Sequence, residues 1–296
     1  MPIVSDAAVP RRLTNRSPSS NGVRYRLTND RIVCVRIRRG QAIENPDTNG
    51  AWGVTERTVI ITTPTTADEM VEVVGVFDTV WGSTPPVVTV ELLTAVAHAG
   101  GYVSLARDHE RPGAPAVGAS LGILARHDGA PALHSHVTAL VVGARGTGAG
   151  RTLKLHQREW AAANGLDSIV WTFDPLVRRN AWFNLSVLGA RVREYLPSFY
   201  GTMSDAINAG DESDRLLVVL DVHRALPTHA EAHAEPPAGA VLVPTPADVV
   251  ALRRTDPSAV ARWRADTRLA LTAALDDGRP IVGFTADGNY VIGSTP

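Results

Sequence analysis

Hydrophobic and polar positions follow two periods along this chain, and the order in which those periods alternate outlines a fold. Met70, Val73, Val74 and Phe77 recur at helical spacing behind Thr66, with Glu69 three residues after that cap and Gly82 following Trp81. Thr89 to Ala99 reads as a second helix, closed by Gly100-Gly101. Tyr102 to Arg107 and Ala116 to Ala125 read as strands of a hairpin, and Asp128-Gly129-Ala130-Pro131 turns the chain into a third strand that runs through Ser135 to Val142. A glycine-rich stretch, Gly143 to Arg151, leads into a helical run to Asn164-Gly165, with Leu153, Leu155, Trp160 and Ala163 available for its buried face.

The second half repeats the strand-then-helix pattern. Leu166 to Phe173 is a strand, stopped by Asp174-Pro175, with a helix behind that proline and Gly189 as its cap. Ala190 to Leu196 and Arg215 to Asp221 are further strands, and His223 to Ala240, rich in alanine and proline, reads as a linker. Pro257 to Ala274 is a helix with Trp263 and Leu271 inward, and Ile281 to Ile292 a hairpin turning at Asp287-Gly288. Ahead of all this, residues 1 to about 22 hold few apolar groups and read as a tail, Arg31 to Arg38 as a strand, and Ala51 to Thr62 as another centred on Val59-Ile60-Ile61. Cys34 in its apolar strand reads as a small buried hydrophobe rather than a nucleophile.

Composition narrows the function classes. The 296 residues are 44% hydrophobic and 20% charged, which suits a globular core. A formal net charge of -1 gives no electrostatic case for nucleic acid or an anionic membrane, and no apolar run reaches the length of a membrane span. One cysteine rules out an intrachain disulfide and fits a cytoplasmic location. No basic-then-apolar signal pattern opens the chain. Arginine greatly outnumbers lysine, as in chains from GC-rich genomes. His223, His229 and His233 lack zinc spacing, so no metal site is expected.

The strand, glycine loop and helix around residue 146 suggest a phosphate site. Gly146, Gly148 and Gly150 allow close approach of backbone to a ligand, and free N–H groups at a helix start favour a pyrophosphate. Two nucleotide motifs are excluded: Gly150-Arg151-Thr152 lacks the lysine of a Walker loop, and the glycines run G-x-G-x-G rather than G-x-G-x-x-G. Taken alone, three alternating glycines equally describe an ordinary turn. With Arg145 in front, Arg145-Gly146-Thr147-Gly148-Ala149-Gly150 resembles the acyl-CoA loop of the GNAT acyltransferase superfamily. Trp171 to Pro175, Asn180 to Leu185, Leu188-Gly189-Ala190, Tyr200-Gly201 and Ser213 to Leu216 resemble one branch of acetyltransferases within it.

That resemblance implies an α/β (α+β) fold with a mixed, mainly antiparallel central sheet flanked by helices, with extensions at both ends. The expected division is an N-terminal tail with short strands over residues 1–66, the acyltransferase domain over 67–222, a linker over 223–240, and over 241–296 a helix and hairpin that pack on the core. Acetyl-CoA or another acyl-CoA would be co-substrate. Arg145, Gly146, Thr147, Gly148, Ala149, Gly150 and Arg151 would bind its pyrophosphate, a backbone N–H of the central strand near Leu140, Val141 and Val142 would help bind and polarise the co-substrate, and Asn180 and Asn184 would add hydrogen bonds.

Transfer to an amine needs a base, an oxyanion partner and a proton for the leaving thiolate. His136 is the candidate base, placed by strand period on one face with His134, Thr138 and Leu140; the competing reading is a satisfied core histidine. The family's frequent acid, a tyrosine four residues before the closing glycine, is Leu185 here, so Tyr195 and Tyr200 are the remaining candidates, each equally readable as a core or rim aromatic. The expectation is transfer of an acetyl or related acyl group to the amine of a small molecule. The alternatives are a non-catalytic acyl-CoA-binding module and an enzyme with a hydroxyl acceptor or another acyl-CoA reaction. A homodimer is compatible with the resemblance.

Overall fold

The computed structural model describes residues 32–34, 59–82, 85–109, 111, 113–201 and 211–294. The expected tail over residues 1–22, the flanks of the expected strand at Arg31 to Arg38 and the side chain of Cys34 lie outside the described residues. Strands β1 (Ile32–Cys34) and β2 (Val59–Thr62) precede helix α1 (Ala67–Trp81). Thr66 caps α1 in a full capping box with Glu69, and Gly82 ends it in the left-handed region. Then follow α2 (Val90–His98), β3 (Tyr102–Asp108), β4 (Gly118–His127), β5 (Ala130–Leu140) and α3 (Ala149–Ala163). The turn between β4 and β5 holds Asp128 and Gly129 at positive φ, the two-residue geometry of a tight hairpin.

After β6 (Ser168–Phe173) the expected single helix breaks into α4 (Arg178–Ala181) and a π-helical segment, Trp182–Val187. The Leu188 amide there bonds the Phe183 carbonyl five residues back, and Gly189 turns the chain at φ 65°. Ser186 donates to the Phe284 carbonyl at 2.7 Å and accepts from the Phe284 amide, so a distant segment fixes this register. β7 (Arg191–Leu196) and β8 (Arg215–Asp221) complete the core. The C-terminal part contains α5 (His229–Ala232), β9 (Val241–Pro244), α6 (Val249–Thr255), α7 (Pro257–Asp276), β10 (Ile281–Phe284) and β11 (Asn289–Ile292). α5, inside the expected linker, and β9 and α6 beyond it were not anticipated from their short, weakly periodic sequences.

One sheet of eight strands runs in the order β1-β2-β3-β4-β5-β6-β8-β7. It takes in β2, so the sheet extends ahead of residue 67. Every pair is antiparallel except β5 and β6, which α3 connects by crossover. This is the mixed, mainly antiparallel sheet expected from the resemblance. α1 and α2 cover one face through Met70, Val73, Phe77 and Leu93 against Leu105, Leu121, Val137 and Ala139. α3 covers the other: Leu153 and Ala161 are buried, but Ala163, expected inward, is exposed.

The C-terminal strands form a second sheet, β10-β11-β9, that packs on the core. Buried charges hold it there. Arg253 of α6 and Arg264 of α7 each bond both Asp174 and Asp211, with all four side chains under 10% exposed. Burial alone would raise the Asp211 carboxyl, but hydrogen bonds and charge from Arg264 and Arg253 outweigh it and hold its pKa below the usual range. Tyr290 donates to the Pro175 carbonyl, so this part braces the segment between β6 and α4.

Arg264→Met leaves two buried carboxylates sharing one arginine and is expected to cost about 3–5 kcal/mol. Arg262→Met, which breaks an exposed pair with Asp256, should cost under about 1 kcal/mol. Urea unfolding of both variants checks the contrast. Because the Asp211 pKa is lowered, its contribution to stability is full above the ordinary aspartate pKa and is lost as pH falls through the lowered value.

Candidate active site

The central feature is a wedge between β5 and β6. Their parallel ladder has two pairs, Leu133 with Ile169 and His134 with Val170, and then stops. Beyond it β5 continues to Leu140 and β6 to Phe173. The facing backbone edges past the ladder have no strand partner, so groups that would otherwise be paired are offered to whatever enters. From Ser135 to Leu140 this edge is roughly 17 Å long at ordinary strand rise.

β5 is bulged at the apex of the wedge. Leu121 pairs with Val137 and Gly122 with Ser135, leaving His136 as the extra residue. This overturns the expectation that His136 shares a face with Thr138 and Leu140. Thr138 bonds Ser120 at 2.8 Å, and Ser120 accepts from Gln157 of α3, so Thr138 faces α3. His134 faces the α1 and α2 side, and the ring centroids of His134 and His136 lie 6.0 Å apart. His136 is exposed rather than sealed in the core. Surrounding protein nevertheless lowers the pKa of both imidazoles below the usual histidine value; for His134 burial is the main cause, followed by the charges of His136 and Lys154.

The open end of the wedge meets the glycine loop. A 3-10 turn, Val142–Ala144, leads to Gly146 at φ 73° and Gly148 at φ 85°. Both φ values lie where a side chain is strained, which accounts for two of the three glycines. Gly150 serves packing instead: a Cβ there would lie 3.3 Å from Leu140 Cδ1 and 3.7 Å from Phe183 Cζ. Gly148 is the N-cap of α3 and makes no side-chain cap bond, no acidic residue stands in the first turn, and Arg151 does. With no side-chain cap, the positive dipole end of this helix suits an external anion. Thr147 donates to the Ala144 carbonyl at 2.7 Å and braces the loop. Arg145 is exposed and its Nε reaches the Leu140 carbonyl. Its pKa is lowered by burial and then by the charge of Arg179, so α4 brings a second guanidinium to this end of the wedge. Sequence reasoning missed Arg179, because its spacing on α4 carries no sign of Arg145, thirty-four residues earlier.

The remaining sequence-derived residues separate. Tyr195 is buried, and its hydroxyl donates to Asp214 at 2.6 Å beside Arg268, so it is committed to that pair rather than to the wedge. Burial and then Asp214 push its pKa far up. Tyr200 is exposed, shares a 3.3 Å hydrogen bond with Thr172 of β6, and stacks under Arg215. Thr172 shares the face of Val170, the partner of His134, so Tyr200 lies on the His134 side of the sheet, on the opposite bank. Asn184 is buried and Asn180 half-buried in the segment that flanks Gly150 through Phe183. Val141 is half-buried and Val142 is 76% exposed, at the end of β5 where the loop begins.

No family model matches the sequence, and no curated protein matches it. Among solved structures, the chain is similar to the NatC complex bound to Gag peptide and CoA, at 13% identity and a TM-score of 0.44 over 55% of this chain and 98% of that one. It is similar to the ribosomal-protein-S18-alanine N-acetyltransferase of Escherichia coli at 11% identity and a TM-score of 0.44, over 56% and 96% of the two chains. Arabidopsis thaliana Naa50, in complex with a CoA bisubstrate analogue, matches at 19% identity and a TM-score of 0.42 over 54% and 97%.

Gly148→Ala forces a side chain into the left-handed region and should cost about 1–2 kcal/mol. Gly143→Ala, where φ is not positive and no atom lies within 4 Å of the added Cβ, should change stability by less than about 0.5 kcal/mol. Thermal unfolding of the two variants separates the effects.

Proposed function

We propose that the protein is an acyltransferase that moves an acetyl or related acyl group from acyl-CoA to the amine of a small molecule. The observation that carries this is the wedge between β5 and β6, open at one end to an uncapped helix N-terminus and bulged at the other around an exposed histidine. An extended amide-bearing arm with an anion at one end and a reactive thioester at the other fits those chemistries in that order. The pyrophosphate would lie at the N–H groups of Ala149, Gly150 and Arg151, steered by Arg145 and Arg179. Loop residues Gly146, Thr147 and Gly148 would wrap it. The arm would run past the end of β5 at Leu140, Val141 and Val142, beside Asn180 and Asn184, and the acyl group would reach the apex.

At the apex His136 would take the proton from the attacking amine. Its lowered pKa keeps the imidazole neutral near pH 7, the form a base requires. The backbone N–H groups around the bulge would hold the oxyanion. Tyr200 would act from the β6 bank, positioning the acceptor through its hydroxyl.

Calorimetric titration with CoA and acetyl-CoA tests the reading. Micromolar binding is expected, and Arg145→Ala with Arg179→Ala should weaken it about tenfold or more, with a shallower dependence on salt. Absence of binding to any CoA thioester would refute it. His136→Gln should leave CoA affinity unchanged and lower kcat on a responsive amine by about 10²-fold or more. In the wild type kcat should rise with pH through a value below the ordinary histidine pKa of 6.5, because the base works deprotonated.

A further inference from the structure

Lys154 is the only lysine in the chain; every other one of the 29 Lys and Arg residues is arginine. It is 5% exposed on α3, under the apex of the wedge. Its Nζ donates to Ser135 Oγ at 2.7 Å and to Gln157 Oε1 at 3.0 Å, and stands 4.1 Å from the centroid of the Trp171 ring. Ser135 on β5 and Trp171 on β6 are the first residues past the last ladder pair, His134 with Val170. The one lysine side chain thus spans both strands where they begin to part. It lies on the α3 side of the sheet, whereas His134 lies on the other. Among the described residues no carboxylate bonds it: its oxygen partners are a hydroxyl and an amide. As an ammonium it has three N–H donors, and these two acceptors leave one without an oxygen or nitrogen partner.

We propose that Lys154 is the proton donor to the thiolate released from the acyl-CoA. This rests on the acyltransferase reading above and deepens it, filling the place left by Leu185. The amine nitrogen attacks the thioester carbon and gives its proton to His136. The tetrahedral intermediate collapses, the C–S bond breaks, and the electron pair stays on sulfur. Lys154 passes one proton to that sulfur, giving free CoA thiol and a neutral lysine. His136 then loses its proton to solvent and Lys154 regains one, so protons balance over a turnover. The two residues act from opposite faces of the sheet, which keeps acid and base from neutralising each other.

The thermodynamics agree with this geometry. Burial lowers the Lys154 pKa to about 7. An ammonium at that value yields its proton downhill to a thiolate of ordinary pKa, roughly 8.5, whereas an unperturbed lysine near 10.4 would yield it uphill. Arginine, which fills every other cationic position, does not deprotonate in this range. The titratable groups around Lys154 are His134 and His136 on β5, Tyr102 on β3, and His156, Arg151, Arg158 and Glu159 on α3; β6 carries none, and those of β4, Arg126 and His127, stand at its hairpin end. His156 has its pKa lowered to about 4 by burial and shares a 2.7 Å hydrogen bond with Tyr102, so it stays neutral as Lys154 titrates.

A single lysine makes the test direct. Protein labelled with ¹³C at lysine Cε has one such signal, to be titrated free, with CoA, and with desulfo-CoA, which lacks the sulfur. The expected result is an inflection near pH 7 in the free protein that moves upward with CoA and by at least half a pH unit less with desulfo-CoA. The thiol of bound CoA, followed by thiolate absorbance, should titrate lower than that of free CoA in the wild type and not in Lys154→Met. With a responsive amine, Lys154→Met and Lys154→Arg should lose tenfold or more in kcat with KM for acetyl-CoA unchanged. The wild-type fall in kcat above pH 7 should vanish in both. A lysine signal that titrates identically in the two complexes, or a bound thiol whose pKa survives Lys154→Met, would overturn the proposal without touching the acyltransferase reading. Failure of the wild type to bind CoA in the calorimeter would remove both. The NMR comparison uses the wild-type chain, so it decides the matter even where a variant fails to fold.

Discussion

The site depends on a parallel strand pair that is too short. β5 and β6 share two ladder pairs and then part, while each is held on its outer side, β5 by β4 and β6 by β8. Neighbouring strands in a closed sheet satisfy each other's backbone groups; strands that diverge leave those groups facing a gap. The gap persists because α3 joins the two strands and packs its Leu153 and Ala161 against the sheet, and because β4 and β8 keep the strands in place. A bound arm with amide groups would complete the sheet at that point. The reading of the protein as an acyl-CoA enzyme follows from the wedge more than from any one side chain.

Two local devices give the wedge its direction. At the loop end, glycines at positive φ bring the chain round into a helix whose first turn has neither a side-chain cap nor an acidic residue. A glycine cap is less stable than a serine, threonine, aspartate or asparagine cap by only a few tenths of a kcal/mol, a small cost consistent with an anion taking the cap's place. At the apex, the bulge at His136 reverses the face rule of an ordinary strand. Ser135 and Thr138 both look toward α3, and an exposed imidazole stands where a regular strand would have placed a packed one.

The C-terminal part stabilises the second bank. The network of Asp174, Asp211, Arg253 and Arg264 lies just beyond β6, and Ser186 ties the π-helical segment to the C-terminal hairpin. Breaking one member of such a network exposes the others as unpaired buried charges, so it acts as a unit. Tyr195 is committed to a separate pair, donating to Asp214 beside Arg268 rather than facing the wedge. By contrast, among the described residues the lone lysine has a hydroxyl, an amide and an aromatic ring but no carboxylate as partners, and burial lowers its pKa.

The order of elements was legible in the sequence because it rests on local signals. The Thr66 capping box, the Asp128-Gly129 turn and the left-handed Gly148 act within a few residues, and each appears where its residues predict. The strand, loop and helix around Arg145 were legible for the same reason. Four things were not. The bulge at His136 is a property of pairing with β4 and shifts no local preference. The π-helical turn at Trp182–Val187 is anchored by Phe284, ninety-eight residues after Ser186. Arg179 joins Arg145 only through the fold. The ordinary look of Lys154 on an amphipathic helix gives no hint that Ser135 and Trp171 close over it. The sequence by itself determined the elements, the turn types and the anion-seeking loop, since these depend on neighbours along the chain. Only the tertiary structure decided which face each polar side chain takes and which charges are buried, because register and desolvation are set by partners distant in sequence.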